Sequence, residues 1–186
     1  MSTDTLDTSV KEYAVDPGHS QVNFAVTHMG FSKVRGGFES FSGHITVDPD
    51  NIETLETEAA INISSISTGE DDRDEHLRSD DFFNAEEYPD IKFQSKEVKD
   101  ISGESFTLVG DLTIRGTTKE VELDATFLGQ AKDPWGNQRV GFEAETTIQR
   151  EDYGLTWNQV LETGGVLVGK SVHITLEVQA AHSSDE

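Results

Sequence analysis

The sequence predicts an all-β domain, its antiparallel strands closing into a barrel or packing as a sandwich. Three observations carry that prediction. Apolar residues recur at every second position through most of the chain, the pattern of a strand with one buried face. Gly, Pro and Asn punctuate these runs, in "DPG" at 16–18, "DPDN" at 48–51, "RGTTK" at 115–119 and "DPWGN" at 133–137. No helical period alternates with the strand period, which argues against a parallel α/β sheet.

In chain order, "HSQVNFAVTH" puts Val22, Phe24, Val26 and His28 on one face, and "FSGHITV" does the same with Phe41, Ile45 and Val47. "AAINISSIS" offers Ala59, Ile61 and Ile63, and "IKFQSKEV" offers Ile91 and Phe93. The clearest alternation is "SFTLVGDLTIR", with Phe106, Leu108, Leu112 and Ile114 against Thr107, Asp111 and Thr113. "KEVELDATFLG" supplies Val121, Leu123, Ala125 and Phe127, and "QRVGFEAETTI" supplies Val140, Phe142, Ala144 and Ile148. With the final run "VHITLEVQA" these make about eight strands. Gly110 and Gly141 fall inside strands, where glycine permits close approach or sharp curvature. "EDDRDEHLRSDDFF" lacks alternation and reads as a short helix or lid, and "YGLTWNQVLETGG" as a second short helix or an irregular crossing. Residues 1–12 read as a flexible acidic arm, 13–180 as one barrel domain and 181–186 as a short tail.

The stretch "GGVLVGKS", Gly164 to Ser171, satisfies the phosphate-loop pattern G-x-x-x-x-G-K-[ST]. That chemistry needs the loop to open a helix whose N-terminus faces the phosphates. Here Val172, Ile174, Leu176 and Val178 alternate with polar residues, so a strand follows and the match is accidental. A glycine-rich corner leading into the last strand is expected instead.

The 186 residues include 36 acidic and 14 basic side chains, a net charge of −22. No basic stripe is available to displace counterions from nucleic acid, which excludes that class of partner. An anionic membrane is repelled by the net charge, and no apolar run approaches the roughly 18 residues of a spanning helix, so no stable membrane insertion is expected. The acidic residues are spread along the whole chain, as in proteins that stay soluble in concentrated salt, and salt-dependent folding is expected. There is no cysteine, hence no disulfide and no thiolate metal site. The first residues, "MSTDTLDTSVKEY", lack a basic region and an apolar core, and a cytoplasmic protein is expected.

Several motifs in order carry a family resemblance: "YAVDPGHSQVNFAVTHMGFSKVRGGFESFSGHITVDP", "SISTGEDDRDEHLRSDDFF", "YPDIKFQS", "GDLTIRGTTKEVEL", "DPWGNQRVGFEAETTIQREDYGLTWN" and "LETGGVLVGKSVHITLEV". From about Tyr13 to Ala180 the chain resembles the YceI-like, polyisoprenoid-binding proteins. The resemblance implies a lipocalin-like, extended antiparallel barrel with a long apolar tunnel that holds an amphiphile such as a polyprenyl chain. On that reading Phe24, Val26, Phe41, Phe93, Leu108, Leu112, Phe127 and Phe142 form the wall, and His28 lies at the mouth. His19, Arg73, His76 and Arg78 are the head-group candidates. For His19 the competing and favoured reading is a turn histidine bonded to backbone. For the bases of "DDRDEHLR" it is pairing with Asp71, Asp72, Asp74 and Glu75. Trp135 is expected to anchor its turn and Trp157 to pack the irregular crossing.

Catalysis finds little support. No G-x-S-x-G elbow, no cysteine nucleophile and no H-x-x-x-H zinc spacing is present, and carboxylates are too common for a pair to carry information. The expectation is a binder that carries or sequesters an isoprenoid or other long-chain lipid, with no cofactor beyond such a bound lipid. Two alternatives stay open: a stress-associated structural barrel without ligand, and an enzyme acting on an isoprenoid quinone or lipid. Whether the chain forms a homodimer is not fixed by the sequence.

Overall fold

Residues 10–159, 161 and 166–182 are described by the structure, a computed structural model. The strands are β1 (Lys11–Val15), β2 (Gln21–His28), β3 (Ser32–Phe38), β4 (Phe41–Asp48), β5 (Asn51–Asn62), β6 (Ile66–Ser67), β7 (Asp90–Ser102), β8 (Ser105–Ile114), β9 (Thr117–Lys132), β10 (Gln138–Gln149) and β11 (Val168–His182). One α-helix, α1 (Asp71–Arg78), lies between β6 and β7, and 3-10 turns occupy Pro17–His19, Ile63–Ser65 and Arg150–Tyr153. Strands β4, β5, β7, β8, β9, β10 and β11 follow one another in an antiparallel ladder, and β1 pairs with both β4 and β11, which closes eight strands into a barrel.

The ring contains eight strands, but not the eight read from the sequence. β1 is a member, whereas β2 lies outside it. Ala14 and Val15 of β1 pair with Ala181 and Ala180, at the C-terminal end of β11. Beyond a break at Asp16–Ser20 the chain rejoins the same edge as β2, running from Gln21 opposite Glu177 to His28 opposite Val168. From there β3 and the two-residue β6 extend the sheet outward. The barrel is thus tight at one end and flared at the other. β1, β3 and β6 escaped the periodicity reading for local reasons. β1 starts at Lys11, two residues inside the span read as an arm. β3 holds Gly36 and Gly37 beside Lys33 and Arg35, and β6 is too short to show a period.

Local chemistry explains the connections. Ile114 pairs with Thr117 across a two-residue turn in which Arg115 and Gly116 have φ of 50° and 76°. Two left-handed residues give the turn whose twist matches a hairpin. The run after the glycine-rich corner is strand β11 and not a helix, so Lys170 and Ser171 sit in a ladder and no phosphate loop exists there. Gly164 and Gly165 lie outside the described residues. The crossing that starts at "YGLTWN" is irregular after the 3-10 turn Arg150–Tyr153.

Two apolar clusters fill the interior. One, at the tight end, gathers Tyr13, Ile45, Val47, Leu55, Phe106, Phe127, Val140 and Phe142. The other, at the flared end, gathers Val22, Phe38, Ile66, Phe82, Ile114, Ile148, Tyr153 and Leu155. Phe93, Val121 and Leu176 are only partly buried and touch both clusters.

Candidate functional site: an apolar channel along the barrel

A cavity of about 270 Å³ runs through the interior between these clusters. Inward positions of the ring strands form its wall. Ile45, Leu55, Phe106, Leu123, Ala125 and Val178 line the tight end; Leu77, Phe82, Phe83, Leu155 and Val168 line the flared end. Val178 and Val168 both belong to β11 and are ten residues apart, a contour of roughly 33 Å at 3.3 Å per residue. The volume is near the lower bound of the roughly 300–1,000 Å³ typical of small-molecule pockets. A space so long for its volume is narrow, and it matches an extended chain better than a compact molecule.

The residues expected on the wall divide as follows. Phe24, Val26, Phe41, Phe93, Leu108, Leu112 and Phe142 line the cavity. Phe127 is buried but does not reach it; its ring packs against Phe142 with centroids 5.2 Å apart. Alternation identified its inward face but not its position along the barrel axis. His28 is half-buried at the end of β2, opposite Ser32 and Val168, and does not line the cavity.

The head-group candidates do not line it either. His19 Nδ1 lies 2.8 Å from the Asp16 carboxylate in the break between β1 and β2, so its partner is a side chain rather than the expected backbone group. Arg73 donates from Nε to Thr68 Oγ1 at 2.7 Å and from Nη2 to the Thr68 carbonyl at 2.8 Å. Asp74, buried, accepts from the Thr68 amide and hydroxyl at 2.9 and 2.6 Å. Both side chains therefore tie α1 to the end of β6. His76 contacts Asp81 at 2.8 Å and sets its ring edge-on to Trp157 and near Phe82, with centroids 4.8 and 5.1 Å away. Arg78 is half-buried at the end of α1. Trp157 packs the crossing as expected, whereas Trp135 is 79% exposed at the tip of its turn.

The segment carrying Leu77, Phe82 and Phe83, read in the sequence as a short helix or lid, covers the flared end. One feature was missed in the sequence: Arg150, 4% exposed, which lines the cavity. Its Nε donates to Gly169 O at 2.7 Å, Nη1 to Leu155 O and Trp157 O at 2.6 and 3.0 Å, and Nη2 to Val168 O at 3.3 Å. Burial lowers its pKa from the ordinary arginine value. Four of five donors are thereby taken by carbonyls, so Arg150 shapes this end of the channel and does not grip a head group.

The tight end is held by a polar cluster. Arg139 donates to Asp16 and Asp133, each at 2.9 Å, and to Gln179 Oε1 at 2.7 Å. The Arg139 and His19 hydrogen bonds hold the Asp16 carboxyl well below its usual range, at about 2. Arg139 likewise holds Asp133 low. The break after β1 and the "DPWGN" turn are thus tied together.

An eight-stranded antiparallel barrel with a long apolar interior and a covered flared end defines a class of β-barrel binding proteins. Within that class the chain belongs to the YceI-like domain family, whose model matches residues 13–180. A UPF0312 protein of Photorhabdus laumondii is 44% identical over 143 residues, 76% of this chain and 74% of its own length. A UPF0312 protein of Staphylococcus epidermidis is 41% identical over 175 residues, 94% of this chain and 98% of its own. Among solved structures, BcnA of Burkholderia cenocepacia superposes with a TM-score of 0.78 at 22% identity, covering 89% of this chain and 99% of its own. A polyisoprenoid binding domain of Saccharophagus degradans superposes with a TM-score of 0.70 at 15% identity, covering 92% and 98%.

Proposed function

We propose that the protein binds a long-chain amphipathic lipid of the isoprenoid class, threaded along the barrel, and carries or sequesters it. The observation that carries this reading is the shape of the channel: about 270 Å³ drawn out along most of β11 and walled mainly by apolar side chains, with every strand of the ring contributing. Apolar burial contributes about 25 cal/mol per Å², so affinity grows with the length of chain inserted. The polyisoprenoid binding domain of the same fold supports the choice of ligand class. The chain end with its polar group emerges at the flared end, beneath the cover formed by Leu77, Phe82 and Phe83. The protein is a binder and not an enzyme on this reading, since among the described residues no nucleophile with an adjacent base faces the channel.

The test is mass spectrometry of an organic-solvent extract of protein purified in molar salt. A stoichiometric isoprenoid, absent from a mock purification, is expected. An empty extract together with no uptake of added polyprenyl lipid overturns the reading in favour of a self-filled structural barrel. Leu112→Trp, which projects a larger ring into the channel, is expected to weaken uptake at least tenfold while the protein stays folded.

A further inference from the structure

From Ser20 to Phe38, and again from Thr163 to Leu176, the chain has no Asp or Glu, although it has 36 elsewhere. The two stretches are far apart in sequence, yet β2 pairs with both β3 and the first half of β11, so the fold lays them side by side. Lys33 and Arg35 project from β3 and are exposed. At the tip of the β2–β3 hairpin Phe31 is 83% exposed and Met29 42%; Val166 at the edge of β11 is 40% exposed. The Met29 amide donates to Leu167 O at 2.9 Å, which brings these side chains to one corner. Met29 has φ of 54°. A bulky side chain in the left-handed region costs about 1 kcal/mol, where Asn or Gly is the ordinary choice. The turn therefore holds an apolar residue against its own preference and exposes the next. Val26 and Val168, which line the channel, lie within three residues of this corner, roughly 10 Å along the strand.

We infer that the β2–β3 tip and the start of β11 form the surface by which the protein docks on a lipid bilayer to exchange its cargo. This rests on the lipid-binding reading above. Phe31 and Met29 enter the interfacial layer, and Lys33 and Arg35 meet anionic head groups; Lys170, 3.9 Å from Glu151, is the weaker contributor. Net charge alone sets the molecule against an anionic membrane, but at physiological salt charges beyond about 8 Å are screened. The approaching face thus acts through its own charges. The acidic remainder orients the molecule and opposes any other face, which makes the contact reversible.

The experiment measures co-sedimentation with vesicles of phosphatidylcholine and phosphatidylglycerol at 7:3 in 0.15 M and 1 M salt, for the parent, Phe31→Asp and Lys33→Glu/Arg35→Glu. Both sites are exposed, so the variants fold; farnesol uptake from solution, without membranes, is measured in parallel. Binding by the parent, a loss of at least tenfold in Phe31→Asp, and a loss in the charge variant that shrinks at 1 M salt are expected, with farnesol uptake unchanged. Equal partition of parent and Phe31→Asp, or no partition of the parent at either salt, overturns the docking surface. A concentration-dependent dimer that Phe31→Asp abolishes overturns it in favour of a second copy of this chain. Vesicle binding without farnesol uptake instead strikes the lipid-binding reading and leaves the surface standing.

Discussion

Arg150 gives the flared end its shape through four backbone carbonyls drawn from two separate segments, 155–157 and 168–169. Replacing it by Met fills similar volume but removes the donor from the Leu155, Trp157 and Gly169 carbonyls, each a loss of about 1–3 kcal/mol, while Val168 O keeps its hydrogen bond from Asn158 Nδ2 at 2.7 Å. Arg150→Met is expected to lower unfolding free energy by at least about 3 kcal/mol in urea titration, and Arg150→Lys, with fewer and less directed donors, by an intermediate amount. Equal stability of parent and Met variant sinks the claim. Asp16 gives a pH signature. Its folded pKa is about 2, below the ordinary carboxylate value of 3.8, so its stabilisation is present above pH 4 and is lost as pH falls toward 2. The difference in melting temperature between the parent and Asp16→Asn should be largest above pH 4 and shrink across that window. A difference independent of pH removes the ion pair with Arg139 as its source.

At the scale of elements, the wall depends on close approach between β7 and β8. A Cβ placed on Gly110 meets the Phe93 ring at its Cζ and lies 2.7 Å from Gln94 O. Backbone cannot yield, so Phe93 must turn further into the channel. Gly110→Ala is expected to destabilise the barrel by about 1–3 kcal/mol and to reduce lipid uptake together with it. A melting curve and an uptake assay on one sample check both, and unchanged uptake separates Phe93 from the wall. The helix α1 works differently. Its polar side chains, read in the sequence as head-group contacts, dock it through Thr68 and Asp81, while the apolar residues just before and after its end face the channel.

For the whole molecule, a charge of −22 on 186 residues means that self-repulsion opposes the compact state until salt screens it. Melting temperature is expected to rise by at least about 5 °C between 0.1 and 2 M potassium chloride. A flat response removes salt adaptation as the reason for the acidic surface. The three acid-poor strand segments around the hairpin tip, β2, β3 and the first half of β11, mark where the composition departs from that rule.

Periodicity alone was enough for the all-β class and for which residues face inward, because a strand's two faces are written in alternate letters: Phe24, Leu108, Leu112 and Phe142 all fall on the channel wall. The same alternation ruled out a phosphate loop at Lys170 and Ser171. Depth along the axis was not legible, since period two is blind to it, and Phe127 lies beside the channel rather than on it. Ring membership was also beyond the sequence. β1 closes the barrel because the break at Asp16–Ser20 lets one edge of β11 serve two strands, a matter of pairing between residues 140 or more positions apart. Arg150 was hidden because its burial comes from backbone carbonyls of two segments, 155–157 and 168–169, which only the tertiary structure folds around it.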